Sequence, residues 1–116
     1  MKSKSQPVSS ELPLPKNKFE QTVRDDILLF EERYSKEIGK RYRLQYTRQS
    51  ICGRVDRKAK GYIGTIEDTV KGHGKGNMEN FYRAEGLGVA TFEQRVVENP
   101  GLFSADAVLC AKARLR

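Results

Sequence analysis

Apolar positions recur at steps of three and four over residues 18–38: Phe19, Val23, Ile27, Phe30, Tyr34 and Ile38. That spacing puts side chains on one face of an α-helix, and Leu28 and Leu29 widen the stripe. Asn17 can cap the start, Glu20 and Asp25 suit the positive end of the helix dipole, and Lys36 suits the negative end. Gly39 stands where a helix closes in the left-handed conformation. The pattern predicts a long amphipathic helix with a core face and a solvated acidic face.

The period then changes. Tyr42, Leu44 and Tyr46 alternate with Arg41, Arg43, Gln45 and Thr47, the pattern of a half-buried strand. Ile51 to Val55 reads as a weaker second strand with Gly53 at a bulge. Residues 56–61 read as a tight connection, and Tyr62 to Ile66, with two isoleucines and a threonine, reads as a third strand. Together these predict a three-stranded antiparallel meander. The competing reading carries the first helix through Gly39, with Tyr42 and Tyr46 extending its stripe.

Residues 71–77, Lys-Gly-His-Gly-Lys-Gly-Asn, form a glycine loop. Helical patterns follow over residues 78–85 and 89–98, the second with Val89, Phe92, Val96 and Val97 on one face and Thr91 near its start. Asn99-Pro100-Gly101 is a turn. Ser104 can cap a last helix running to about Leu115, although Ser104, Asp106 and Ala107 do not make a capping box. The fold class expected is therefore α+β: a long N-terminal amphipathic helix packed on a small antiparallel three-stranded sheet, with short C-terminal helices. Residues 1–17, with Pro7, Pro13 and Pro15, read as a flexible tail, and residues 18–116 as one globular domain.

Composition narrows the class without naming a function. The chain has 116 residues, 37% of them hydrophobic, and a mean hydropathy of -0.69. No apolar run is long enough to span a bilayer, and no apolar segment follows Met1–Ser5 as a secretory leader would require. Cys52 and Cys110 lie apart from each other and from any CxxC or Cys/His cluster, which favours reduced thiols in a cytoplasmic protein. With His73 the only histidine, no zinc site can be composed from Cys and His, and no cofactor is expected.

Charge is where the sequence says most. The net charge is +7, from 22 Lys and Arg against 15 Asp and Glu, and residues 36–60 alone also sum to +7. A field concentrated in one stretch attracts polyanions and speeds their encounter. In the expected sheet, Arg41, Arg43, Gln45 and Thr47 would share a face. Lys40, Arg48, Arg54, Arg57, Lys58 and Lys60 would lie on or beside it, and Lys71 and Lys75 of the glycine loop would assist. Guanidinium forks match phosphate oxygens, and such contacts give salt-dependent affinity for nucleic acid. Tyr42, Tyr46 and Tyr62 would stack on bases if exposed.

The glycine loop departs from the Walker A pattern and from GxGxxG, so it reads as a flexible loop that supplies further phosphate contacts. A nuclease-like role for His73 would need an orienting carboxylate and a nucleophile. No motif brings Glu67, Asp68 or Cys52 to it, and the chain reads as a non-enzyme. The function expected is a small basic protein that binds DNA or RNA, with a regulatory role. The alternative is an interaction protein that docks its basic patch and an apolar helical face on an acidic partner. The apolar C-terminal set, including Phe92, Leu102, Phe103 and Leu109, would serve such a partner, or a second copy in a homodimer, wherever it stayed exposed.

Overall fold

The structure, a computed structural model, describes residues 11–54, 56–72 and 77–115. Among them the chain forms six α-helices: α1 (Lys18–Ile38), α2 (Gln45–Cys52), α3 (Gly61–Val70), α4 (Asn77–Leu87), α5 (Phe92–Glu98) and α6 (Ala105–Arg114). A single 3-10 turn, Pro100–Leu102, joins α5 to α6.

The three-stranded sheet is therefore overturned, and with it the α+β class. No strand occurs among the described residues. The one β-type pairing is an isolated bridge between Arg54 and Arg57 that closes a turn. Residues 41–44 form a connection with no regular secondary structure and lead into α2 rather than into a partner strand. The inward positions of α2 are Leu44, Arg48 and Ile51, all under 9% exposed. They are spaced as a helix requires, but the middle one is an arginine, which hides the apolar stripe from a hydropathy reading. In α3 the inward positions are Tyr62, Ile66 and Val70, one turn apart, with Thr65 beside them. The β-branched Ile66, Val70 and Thr65 and the aromatic Tyr62 favour strands by local preference, and burial of the stripe overrides that preference.

The first helix forms where its pattern places it. The Asn17 side chain accepts from the Glu20 backbone N–H at 2.9 Å, and the Glu20 carboxylate accepts from the Lys16 N–H at 2.8 Å. Gly39 ends the helix at φ 75°, the left-handed region in which a side chain is strained, so α1 stops there rather than running on through Tyr42. Gly53 has a second, steric reason to be glycine. Its φ is 91°, and a Cβ would lie 2.9 Å from the Ala59 backbone nitrogen, because the chain doubles back there and the Lys60 N–H reaches the Ser50 carbonyl.

Val23, Ile27 and Phe30 of α1, Ile51 of α2, Tyr62, Ile66 and Val70 of α3, Val96 of α5 and Ala107 and Ala111 of α6 make one core. Residues 11–15 run along it. Leu12 packs against the core, the Tyr62 hydroxyl donates to the Pro13 carbonyl at 2.7 Å, and the Cys52 thiol donates to the Glu11 carbonyl. Residues 1–10 of the expected tail lie outside the described residues. Among the described residues no helix is long and apolar enough to cross a membrane.

Arginine–carboxylate pairs fix how the helices meet. Glu31 of α1 is bound by Arg48 of α2 through two bonds, Nε to Oε2 at 2.7 Å and Nη2 to Oε1 at 2.6 Å. The Leu44 N–H donates to the same carboxylate at 2.8 Å. Asp26 of α1 takes a matching fork from Arg95 of α5 at 2.7 and 3.0 Å. Glu93 of α5 accepts from Arg114 of α6 at 2.6 Å, and Arg114 also donates to the Thr69 carbonyl of α3. Arg33 of α1 clips the end of α4 by donating to the Leu87 carbonyl at 2.8 Å.

The last two helices are capped at their N-termini by Thr91 and by Ser104, the latter as the sequence suggested. Thr91 and Gln94 exchange side-chain and backbone bonds in a capping box. The Ser104 side chain accepts from the Ala107 N–H, and its own N–H donates to Glu67 of α3.

Removing one member of the Glu31–Arg48 pair strands a buried charge, so Glu31→Ala is expected to cost about 3–5 kcal/mol. Replacing both, as in Glu31→Leu with Arg48→Met, is expected to restore most of that loss. Urea unfolding followed by circular dichroism measures both, and a Glu31→Ala midpoint equal to wild type would contradict the pair's role.

A second expectation concerns acid. The Ser104 backbone bond, helped by Lys71, holds the Glu67 carboxyl below its ordinary range. The native state thus releases this proton more readily than the unfolded chain. The contribution is full above the ordinary glutamate pKa of about 4.3 and is lost as pH falls through the lower native value. Glu67→Gln should flatten the fall in stability over that acid interval, read as urea midpoints against pH.

Candidate nucleic-acid interface

The ten cations singled out by sequence do not form one face. Arg48 is 3% exposed and committed to Glu31; hydrogen bonding to that carboxylate strengthens its hold on the proton, and it is closed to any phosphate. Lys60 pairs with Asp68 across the start of α3. Lys71 pairs with Glu67 at 3.3 Å, both part-buried. Lys75 lies outside the described residues, as do His73, Gly74 and Gly76 of the glycine loop.

The other six gather at the two ends of α2. Lys40, Arg41 and Arg43 occupy the connection from α1, the first two exposed and the third half-buried. Arg54, Arg57 and Lys58 occupy the connection to α3, all exposed. Among the described residues the Arg54 side chain pairs with Asp56 alone, at 3.3 Å, with the two side chains 43% and 64% exposed, where an ion pair contributes little. The eight residues of α2 separate the two groups by about 12 Å of helix, at 1.5 Å per residue.

Between those ends α2 presents Gln45 and Tyr46, both exposed, and Gln49, half-buried. This face is fixed by the opposite one: with Leu44, Arg48 and Ile51 turned inward, Gln45, Tyr46 and Gln49 must turn out. Tyr46 is 67% exposed. The sequence pattern had paired it with Tyr42 and Leu44 on an inward strand face. Its exposure was legible only through the helical spacing of Leu44, Arg48 and Ile51.

Tyr42 and Tyr62 do not join it. Tyr62 is 1% exposed, and burial raises its phenol pKa. Tyr42 stands edge-on to Tyr34 with centroids 4.7 Å apart, in a cluster with Phe30, and burial raises its pKa as well. Both are structural.

Cys52 and Cys110 are free thiols, and burial pushes the Cys52 thiol up, away from the reactive thiolate form. Among the described residues no group of three His, Cys, Asp or Glu side chains could hold a metal ion. The arrangement offers two clusters of cations for anionic oxygens, with carboxamides and an aromatic ring between them. No protein-family model, curated protein or solved structure matches this chain.

Proposed function

We propose that the protein binds nucleic acid through α2 and the two basic connections that flank it. The observation that carries this reading is the division of labour along α2. Its inward side is committed to Glu31 and the core, while its outward side is polar and aromatic and lies between two groups of cations. Lys40, Arg41 and Arg43 would engage phosphates at one end, and Arg54, Arg57 and Lys58 at the other. Gln45 and Gln49 carry the donor and acceptor that match an adenine edge, and Tyr46 offers a ring on which an unpaired base can stack. Arg48 acts as a positioning residue that sets the rotation of α2. Lys60 and Lys71, held by Asp68 and Glu67, drop out of the phosphate set.

Each phosphate contact steepens the salt dependence of binding by about 0.9 in log–log slope on duplex DNA. Fluorescence anisotropy over a salt series, with labelled DNA and RNA in single- and double-stranded form, is the test. Arg41→Ala with Arg43→Ala should reduce the slope by about 2, as should Arg57→Ala with Lys58→Ala. Lys71→Ala should leave it unchanged. Slopes that all four substitutions leave at the wild-type value would overturn the reading. A chain that binds no nucleic acid at low salt would turn these cations toward an acidic protein instead.

A further inference from the structure

A cleft of about 550 Å³ opens between α2 and α4, with α1, α3 and α5 around it. Its volume falls within the roughly 300–1,000 Å³ of small-molecule sites. The depth of the cleft is apolar, formed by Ile27, Phe30, Phe81 and Val89. Thr47 and Asn80 add polar groups to its walls, and among the described residues neither side chain makes a hydrogen bond.

The charges on its walls decide what it would hold. Three carboxylates line the cleft, Asp26, Asp68 and Glu93, and each has its own cation: Arg95, Lys60 and Arg114 respectively. The cations that line it are Arg54, Arg57 and Lys60. Arg57 is exposed, and among the described residues its side chain forms no ion pair. Arg54 has, among the described residues, only the exposed Asp56. An otherwise neutralised, apolar-floored cleft thus carries surplus guanidinium charge along one wall.

We infer that this cleft binds a small amphipathic anion, a carboxylate or phosphate monoester on an apolar body. The head group sits on the Arg57 guanidinium, with Arg54 beside it, through charge-assisted hydrogen bonds. The body enters between Phe30 and Phe81. A cationic amphiphile of the same shape is rejected by those guanidinium groups. The inference does not rest on nucleic-acid binding, although Gln45, Tyr46, Arg54 and Arg57 border both surfaces, since it needs the apolar depth formed by Ile27, Phe30, Phe81 and Val89.

Isothermal titration calorimetry tests it with decanoate and decyl phosphate, each below its micelle concentration, against decyltrimethylammonium and inorganic phosphate. One-to-one saturable binding of at least one decyl anion is expected, with the ammonium compound and bare phosphate at least about tenfold weaker. Arg57→Ala should weaken the anion by about tenfold, as loss of a charge-assisted bond would. Thr47→Trp, on the half-buried wall, should fill the cleft and abolish binding while far-UV circular dichroism stays native. Which head group binds tighter names the anion. Equal affinity for the ammonium compound, an Arg57→Ala affinity equal to wild type, or undiminished binding by a folded Thr47→Trp would overturn the inference, as would absence of saturable binding by either anion.

Discussion

The bidentate bond between Glu31 and Arg48 is the constraint on which the first half of the molecule depends. Both side chains are almost wholly withdrawn from water, at 9% and 4% exposed. A charge in that position is tolerated only when its partner and its remaining hydrogen bonds are in place. Glu31 meets this by taking both arms of the guanidinium and the Leu44 N–H as well. The last bond ties the pair to the first turn of α2, which has no side-chain cap of its own. One carboxylate therefore fixes where α2 starts and how it is rotated, and leaves it no strand to join.

The same device recurs at lower burial. Arg95 on Asp26 joins α5 to α1, and Arg114 on Glu93 joins α6 to α5. Short helices bury little apolar area each, and a domain this small has a modest core. Directional pairs of this kind do little for net stability against a hydrophobic replacement, but they specify one arrangement among several that greasy faces would allow. Apolar packing, with Ile66 and Val96 fully buried, supplies the bulk of the driving force, and the arginines select the register.

The proposed functions follow from that selection. With Arg48 turned in, Gln45, Tyr46 and Gln49 turn out, and the cations left over stand at the ends of α2. The cleft behind α2 arises from the same placement. α3 packs against both α2 and α5, while α4 is held to α1 by the Arg33 clip, so α2 and α4 stand apart with an apolar gap between them. Arg54 and Arg57 belong both to the basic end of α2 and to the wall of the cleft, so an anion held in the cleft would draw these two cations from the outer face.

Sequence by itself determined the elements whose signals are local. The stripe from Phe19 to Ile38, its Asn17 cap and its Gly39 stop fix α1, because periodic side chains and terminal hydrogen bonds lie within one stretch of chain. Thr91 and Ser104 mark the starts of α5 and α6 for the same reason, and the concentration of positive charge over residues 36–60 is plain from composition. Tertiary structure alone decided that Arg48 belongs to the core, that α2 and α3 are helices, and which cations remain outside. The partner of Arg48 is seventeen positions away, and those of Lys60 and Lys71 lie on α3. Whether a cation is buried, paired or open to a ligand depends on what the fold brings to it. A linear pattern records the residue's polarity but not the carboxylate that makes its burial possible.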